Sequence, residues 1–227
     1  MSWHCEDVGT GTREEFFNGR HENFFLTRLT REAQACIVHG DMVKSRIYLL
    51  RHTRPAIDTS VCYGRTDVAL AQTWQRDVEE CLASVAPAVR IYSSPSTRCR
   101  TLAQVIGRRD GVDVRLDPRL LELDFGIWEG RRWEEIPRAC IEEWAADLLN
   151  YAPGGGESLV SLWDRVHSFR EEIMRDDGDV ILVSHHGPLR ALAAQLAGQP
   201  PKAMFTRQFP WGSITPSHCG QPAIPLR

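Results

Sequence analysis

The 227-residue chain lacks several things, and each absence removes a class of function. No apolar run approaches the length of a bilayer-spanning helix, which excludes a helical membrane span. There is no long basic block, and the net charge is −3. General nucleic-acid binding, whose affinity rests on neutralising phosphates, is therefore not expected. The opening residues MSWHCEDVGTGTREEFF carry acids early and no apolar segment, so no secretory signal is expected. Cys5, Cys36, Cys62, Cys81, Cys99, Cys140 and Cys219 are odd in number and contain no C-x-x-C pair. That argues against a disulfide framework or zinc knuckle and points to a reducing cytoplasm. No internal repeat is apparent. What is present is 42% hydrophobic and 25% charged residues, enough for a full core and too mixed for disorder throughout.

Residues 1–42 differ from the rest, with scattered charges, three histidines and no sustained period. They are expected to form a loosely ordered extension ahead of a domain over 43–227. From Arg46 onward, strand and helix signals alternate. Strands are predicted over Ile47–Leu50, Val89–Tyr92, Val112–Leu116 and Asp179–Ser184, with one short strand near Gly212–Thr215. Helices are predicted over Leu70–Val85, Ser96–Ile106, Ser158–Met174 and Pro188–Leu196. The Ser158 helix is the clearest, with Leu159, Leu162, Trp163, Val166, Phe169 and Ile173 in one stripe. Leu120–Gly130 reads as a loop with strand character, and Trp133–Leu149 as a helix interrupted at Pro137. The alternation implies an α/β fold of three layers, α/β/α, with a mainly parallel sheet covered on both faces. The 120–157 segment is expected to form a small cap insertion.

Four places join a strand end to an anion-directed group. They are Arg51-His52, Ser93-Ser94-x-x-x-Arg98, the Leu121–Gly130 stretch with Glu122, and Ser184-His185-His186-Gly187. Loops after successive parallel strands converge at one edge of the sheet, so Arg51, His52, Arg98 and His185 are expected to meet. A histidine beside guanidinium groups is poorly placed to hold a cation and well placed to meet phosphate. A metal shared by His185 and His186 is opposed by the same arginines; no metal and no cofactor is expected. The chemistry that fits is phosphoryl transfer through a phosphohistidine, with a neutral imidazole as nucleophile. Two arginines and a second histidine would hold the equatorial oxygens, and Glu122 is the candidate for protonating the leaving oxygen, with Asp124 and Glu129 as nearby alternatives. Arg54, Tyr63 and Arg65, on the loop after the nucleophile, and Trp128, beside Glu122, are candidates for substrate contact. The Gly154-Gly155-Gly156 run reads first as a turn capping the Ser158 helix and second as a phosphate cradle.

RHT at 51–53, SSPSTR at 93–98, LELDFGIWEG at 121–130 and SHHG at 184–187 resemble the histidine phosphatase, or phosphoglycerate-mutase-like, superfamily. The order and spacing agree from residue 46 to about residue 198. The resemblance implies His52 as nucleophile, Arg51, Arg98 and His185 as phosphate ligands, and Glu122 as proton donor. Thr53 and His186 stand where the family usually has glycine. RHTRP, CYGRTDVAL, ELDFGIWEGR and PGGGES look like the alpha-ribazole phosphatase branch. That likeness implies a phosphomonoesterase acting on a small phosphorylated metabolite, with alpha-ribazole phosphate of cobalamin assembly first. A broad sugar-phosphate phosphatase, a mutase, and an inactive phosphate-binding or protein-docking domain are the alternatives. Dimerisation through a sheet edge or helix is left open.

Overall fold

A computed structural model describes residues 46–83, 85 and 87–217. The expected 1–42 extension lies outside these residues. Five strands form one sheet in the order β3-β2-β4-β1-β5. They are β1 (Ile47–Arg51), β2 (Arg90–Ser93), β3 (Val114–Leu116), β4 (Val180–Ser184) and β5 (Ile214–Ser217). The first four are mutually parallel where they pair, and β5 lies antiparallel on β1 at the edge. Arg51 pairs with Ser184 in register, and Ser93 with Val183. The C-terminal ends of β1, β2 and β4 thus line up at one edge of the sheet.

The central strand β4 reads VILVS and is buried at every position, the pattern of a strand covered on both faces. Its side chains alternate between two layers. Ile181 and Val183 join Leu50 and Ile91 in one core with Val78 and Cys81 of α1 (Trp74–Leu82) and Leu102, Ala103 and Ile106 of α2 (Thr97–Asp110). On another packing surface Tyr92 meets Phe169 edge to face at 5.5 Å. Phe169 belongs to α4 (Leu159–Ile173), which packs on α5 (His186–Leu196). Helix α4 buries Leu159, Leu162, Val166, Phe169 and Ile173, while Trp163 of the predicted stripe is only half-buried.

Helix α1 is shorter than the Leu70–Val85 expectation. Leu70 is taken by a bridge to Pro55, and the Ala71 amide donates to the Arg54 carbonyl, so the helix starts at Trp74. The strand character expected over Leu120–Gly130 is corrected. That stretch is built from 3-10 turns at Pro118–Leu120 and Gly126–Trp128, because Asp117 and Asp124 take local amides in turn fashion. The predicted break at Pro137 holds: a 3-10 turn over Trp133–Glu135 gives way to α3 (Arg138–Ala146). The whole segment is tied to the loop after β1 by Trp133 N to Ser60 O, Cys62 N to Arg131 O and Gly130 N to Cys62 O.

Candidate active site

β1 delivers Arg51 and His52 to the edge where β2 delivers Ser94 and β4 delivers His185. The His52 amide donates to the Ser184 carbonyl, continuing the β1–β4 ladder one residue past the strand. The His52 side chain is buried, and its Nδ1 lies 2.7 Å from the Thr53 carbonyl. A carbonyl only accepts, so Nδ1 carries the proton and Nε2 keeps a free lone pair. Burial holds the His52 pKa well below the ordinary value, and the charges of Arg98 and Arg51 push in the same direction. The ring is therefore neutral near pH 7.

Arg98, in the first turn of α2, is fully buried. Its Nε donates to His185 Nδ1 at 3.2 Å, Nη1 to the Thr66 carbonyl at 2.8 Å and Nη2 to the Gly64 carbonyl at 2.7 Å. The Tyr63 ring lies 5.5 Å from its guanidinium carbon. Arg51 donates to the Phe209 carbonyl at 2.6 Å and sits 5.2 Å from the Trp211 ring. Among the described residues neither arginine forms an ion pair with a carboxylate. Burying Arg98 without a carboxylate partner costs on the order of several kcal/mol, the usual burial penalty, and Arg51 is half-buried. Burial accordingly lowers the Arg51 pKa, with Tyr63 and Glu122 acting against it.

The His185 ring lies 5.2 Å from that of His52, at 65°. Since Arg98 donates to Nδ1, the proton of His185 sits on Nε2, 2.8 Å from Ser94 Oγ. Burial, Arg98 and His52 all hold His185 neutral. Its neighbour His186 begins α5 and is also buried, with a pKa lowered to about 3 by burial and by Arg51 and Arg190. Glu122 approaches from the 118–128 segment to the N-terminus of α5. Its carboxylate accepts from the Leu123 amide at 3.0 Å and the Gly187 amide at 3.1 Å. A Cβ at Gly187 would collide with Glu122 Oε1, so glycine there is what lets the carboxylate reach the helix end.

The remaining candidates divide. Tyr63 lines the same space, next to Arg98. Arg54 is exposed, with its guanidinium 5.2 Å from the Trp211 ring. Arg54 borders a groove of about 740 Å³ together with Thr53, Thr73, Arg76 and Trp211. Arg65 binds protein: Glu157 at 3.1 Å, Asp124 at 3.5 Å and the Glu122 carbonyl at 3.3 Å. Trp128 is not brought to the phosphate loops; it is buried against Trp144 and Tyr151. The glycine run packs its backbone on Asp124 and Gly126, with no room for a Cβ at Gly154 or Gly156, while Ser158 caps α4 through the Ser161 amide.

Several contributors do work that the sequence did not assign to them. Ser94 was visible only as part of a motif. Glu129 staples the loop after β1, accepting from the amides of Arg65 at 2.8 Å and Phe125 at 3.1 Å, and from the Thr66 amide and hydroxyl. Glu157 and Arg165 pair across the base of the Glu122 loop.

Comparisons with known proteins identify the family. The model of the histidine phosphatase superfamily (branch 1) matches residues 47–221, and the chain belongs to that superfamily. It is 32% identical over 170 residues to a glucosyl-3-phosphoglycerate phosphatase of Mycolicibacterium vanbaalenii, covering 68% of this chain and 75% of the relative. It is 27% identical over 180 residues to the adenosylcobalamin/alpha-ribazole phosphatase of Salmonella typhimurium, covering 74% and 89%. Among solved structures, a mycobacterial glucosyl-3-phosphoglycerate phosphatase superposes with a TM-score of 0.67 at 27% identity, covering 76% of this chain and 89% of that one.

Proposed function

We propose that this member of the histidine phosphatase superfamily hydrolyses small phosphomonoesters through a phosphorylated His52. The observation that carries the reading is the buried Arg98 and the half-buried Arg51, neither in an ion pair with a carboxylate among the described residues, around an imidazole held neutral with Nε2 free. A dianionic phosphoryl group supplies the missing charge, and the desolvated surroundings strengthen each contact it makes.

The His52 Nε2 lone pair attacks phosphorus in line with the ester oxygen, and the P–O bond breaks. Glu122, protonated, gives its proton to the departing oxygen. Arg51 and Arg98 hold the equatorial oxygens, and the Nε2–H of His185 turns to them from Ser94 Oγ. Water then attacks the phosphohistidine, Glu122 takes its proton, the N–P bond breaks, and inorganic phosphate leaves with His52 neutral again. Fixed cations aimed at the developing charge dominate this class of reaction.

For the substrate, the motif likeness at 51–55, 62–70 and 153–158 supports alpha-ribazole phosphate first. The 32% identity to the mycobacterial enzyme supports glucosyl-3-phosphoglycerate second. Phosphate release from both esters and from p-nitrophenyl phosphate, in chelator and with His52→Ala as control, tests the reading. Turnover that vanishes in the variant supports it, and the ester with the highest kcat/KM identifies the class. Absence of turnover on every phosphomonoester overturns it in favour of a binding domain. Return of phosphate to a second substrate hydroxyl, instead of release to water, overturns the phosphatase assignment in favour of a mutase.

A further inference from the structure

Two guanidinium groups converge on one backbone carbonyl, that of Glu122. Arg65 Nε donates to it at 3.3 Å and Arg165 Nη2 at 3.1 Å. Such a convergence of like charges is repulsive unless an anion lies between them. Glu157 is the anion that touches both, while Asp124 reaches Arg65 Nη1 at 3.5 Å. Glu157 Oε1 accepts from Arg165 Nε at 2.7 Å, and its Oε2 accepts from Arg165 Nη2 at 2.8 Å and from Arg65 Nη2 at 3.1 Å. The Glu157 side chain is 12% exposed and that of Arg165 15%, so the pairing is sheltered from solvent and salt. The Glu157 amide also donates to the Asp124 carbonyl at 2.9 Å, and Arg165 Nη1 donates to the Arg119 carbonyl at 2.5 Å. The clamp therefore grips the Glu122 loop on both sides of the acid.

We propose that Glu157 is a positioning residue for the proton transfer, acting through the Arg65–Arg165 clamp on the Glu122 carbonyl. The inference rests on the phosphatase reading and adds a division of labour to it. Glu129 holds the amides of Arg65 and Thr66, and so fixes the Gly64 and Thr66 carbonyls that seat Arg98. Glu157 holds the acid instead. Loss of its charge frees the two guanidiniums to separate and loosens Glu122 while leaving the phosphate pocket in place. A misplacement of about 1 Å in a reacting group costs on the order of a hundredfold in rate.

The test is kcat/KM for an alkyl phosphate and for p-nitrophenyl phosphate, together with vanadate inhibition, in Glu157→Gln. The parameter kcat/KM follows steps up to departure of the leaving group, which an aryl oxide accomplishes without a proton. The alkyl ester is expected to lose about ten- to a hundredfold, the aryl ester less than about threefold, with vanadate affinity unchanged. In a Glu122→Gln background, adding Glu157→Gln is expected to bring no further loss, as for residues acting through one step. Equal losses on both esters, weakened vanadate binding, or fully multiplicative effects overturn the inference. Should Glu157→Gln not fold, Arg65→Met removes one arm of the clamp from a side chain that is 35% exposed; it is expected to show the same ester dependence, and an equal loss on both esters overturns the inference. A wild-type protein inactive on every phosphomonoester overturns the functional reading and this inference together, whereas active wild type with a flat Glu157→Gln response overturns this inference alone.

Discussion

His52 and Glu122 divide the chemistry, and each has a separable signature. The Nδ1 bond to the Thr53 carbonyl leaves His52 one reactive nitrogen at the end of β1, whereas His185 accepts from Arg98 at Nδ1 and turns its Nε2 proton to Ser94. Glu122→Gln keeps the amide contacts' geometry but cannot protonate an alkoxide. Its kcat/KM on an alkyl phosphate is expected to fall about 10²- to 10³-fold, the size of a lost general acid, with a far smaller loss on p-nitrophenyl phosphate. Equal losses on both would remove the acid assignment. Arg51, His52, Arg98 and His185 were legible in the sequence because each directly follows or closely trails an apolar strand. Glu157 and Arg165 were not, because an Arg–Glu pair eight residues apart has no periodic signal and looks like any charged helix start. Trp128 was misleading for a related reason. An aromatic beside an acid in sequence turns away from it when the backbone makes a 3-10 turn, and it joins Trp144 and Tyr151 instead.

The helix α5 makes one strict demand on its sequence, at Gly187. Its amide reaches Glu122, and any Cβ there meets the carboxylate. Because the obstructed atom is the end of a side chain, Gly187→Ala is expected to fold with a modest loss of stability, about 1–3 kcal/mol. It should displace Glu122, so that alkyl phosphates suffer more than aryl ones; kcat/KM for both esters alongside a denaturant midpoint checks it. A variant with wild-type ratios between the esters contradicts the contact. The strands β1 and β4 were readable as continuous apolar runs, β2 as a short β-prone run, and α4 as a stripe. The 118–128 segment was not, since Leu120, Leu123, Phe125 and Trp128 are all buried and a short buried run looks like a strand whether or not it has a partner to pair with. The start of α1 was misjudged because Leu70 fits a helical period but is captured by Pro55, a tertiary contact invisible to periodicity.

The buried imidazoles also set how the molecule as a whole responds to acid. His52 and His185 are held well below the ordinary histidine value, and His186 is lowered to about 3. Each takes a proton near pH 6.5 when the chain unfolds. Below that pH the unfolded state binds more protons than the folded one, so stability is full above about pH 6.5 and falls as the pH drops, by up to about 1.4 kcal/mol per pH unit for each histidine. Denaturant melts from pH 7 to pH 5 should show this fall, and His186→Leu, which removes one of the three, should flatten it; a midpoint unchanged across that range contradicts the burial argument. The overall architecture was legible because alternating strand and helix signals admit few arrangements, and the parallel order then forced the anion-directed loops onto one edge. What every part of the account depends on is a covalent bond between phosphorus and one nitrogen. Mixing the protein with substrate, quenching in alkali within a turnover and sequencing the modified peptide by mass spectrometry reads that bond directly. The expected result is one phosphoryl group on His52, lost on chase with water and absent from His52→Ala, and turnover without that label, or a label on His185 or His186 instead, contradicts the account.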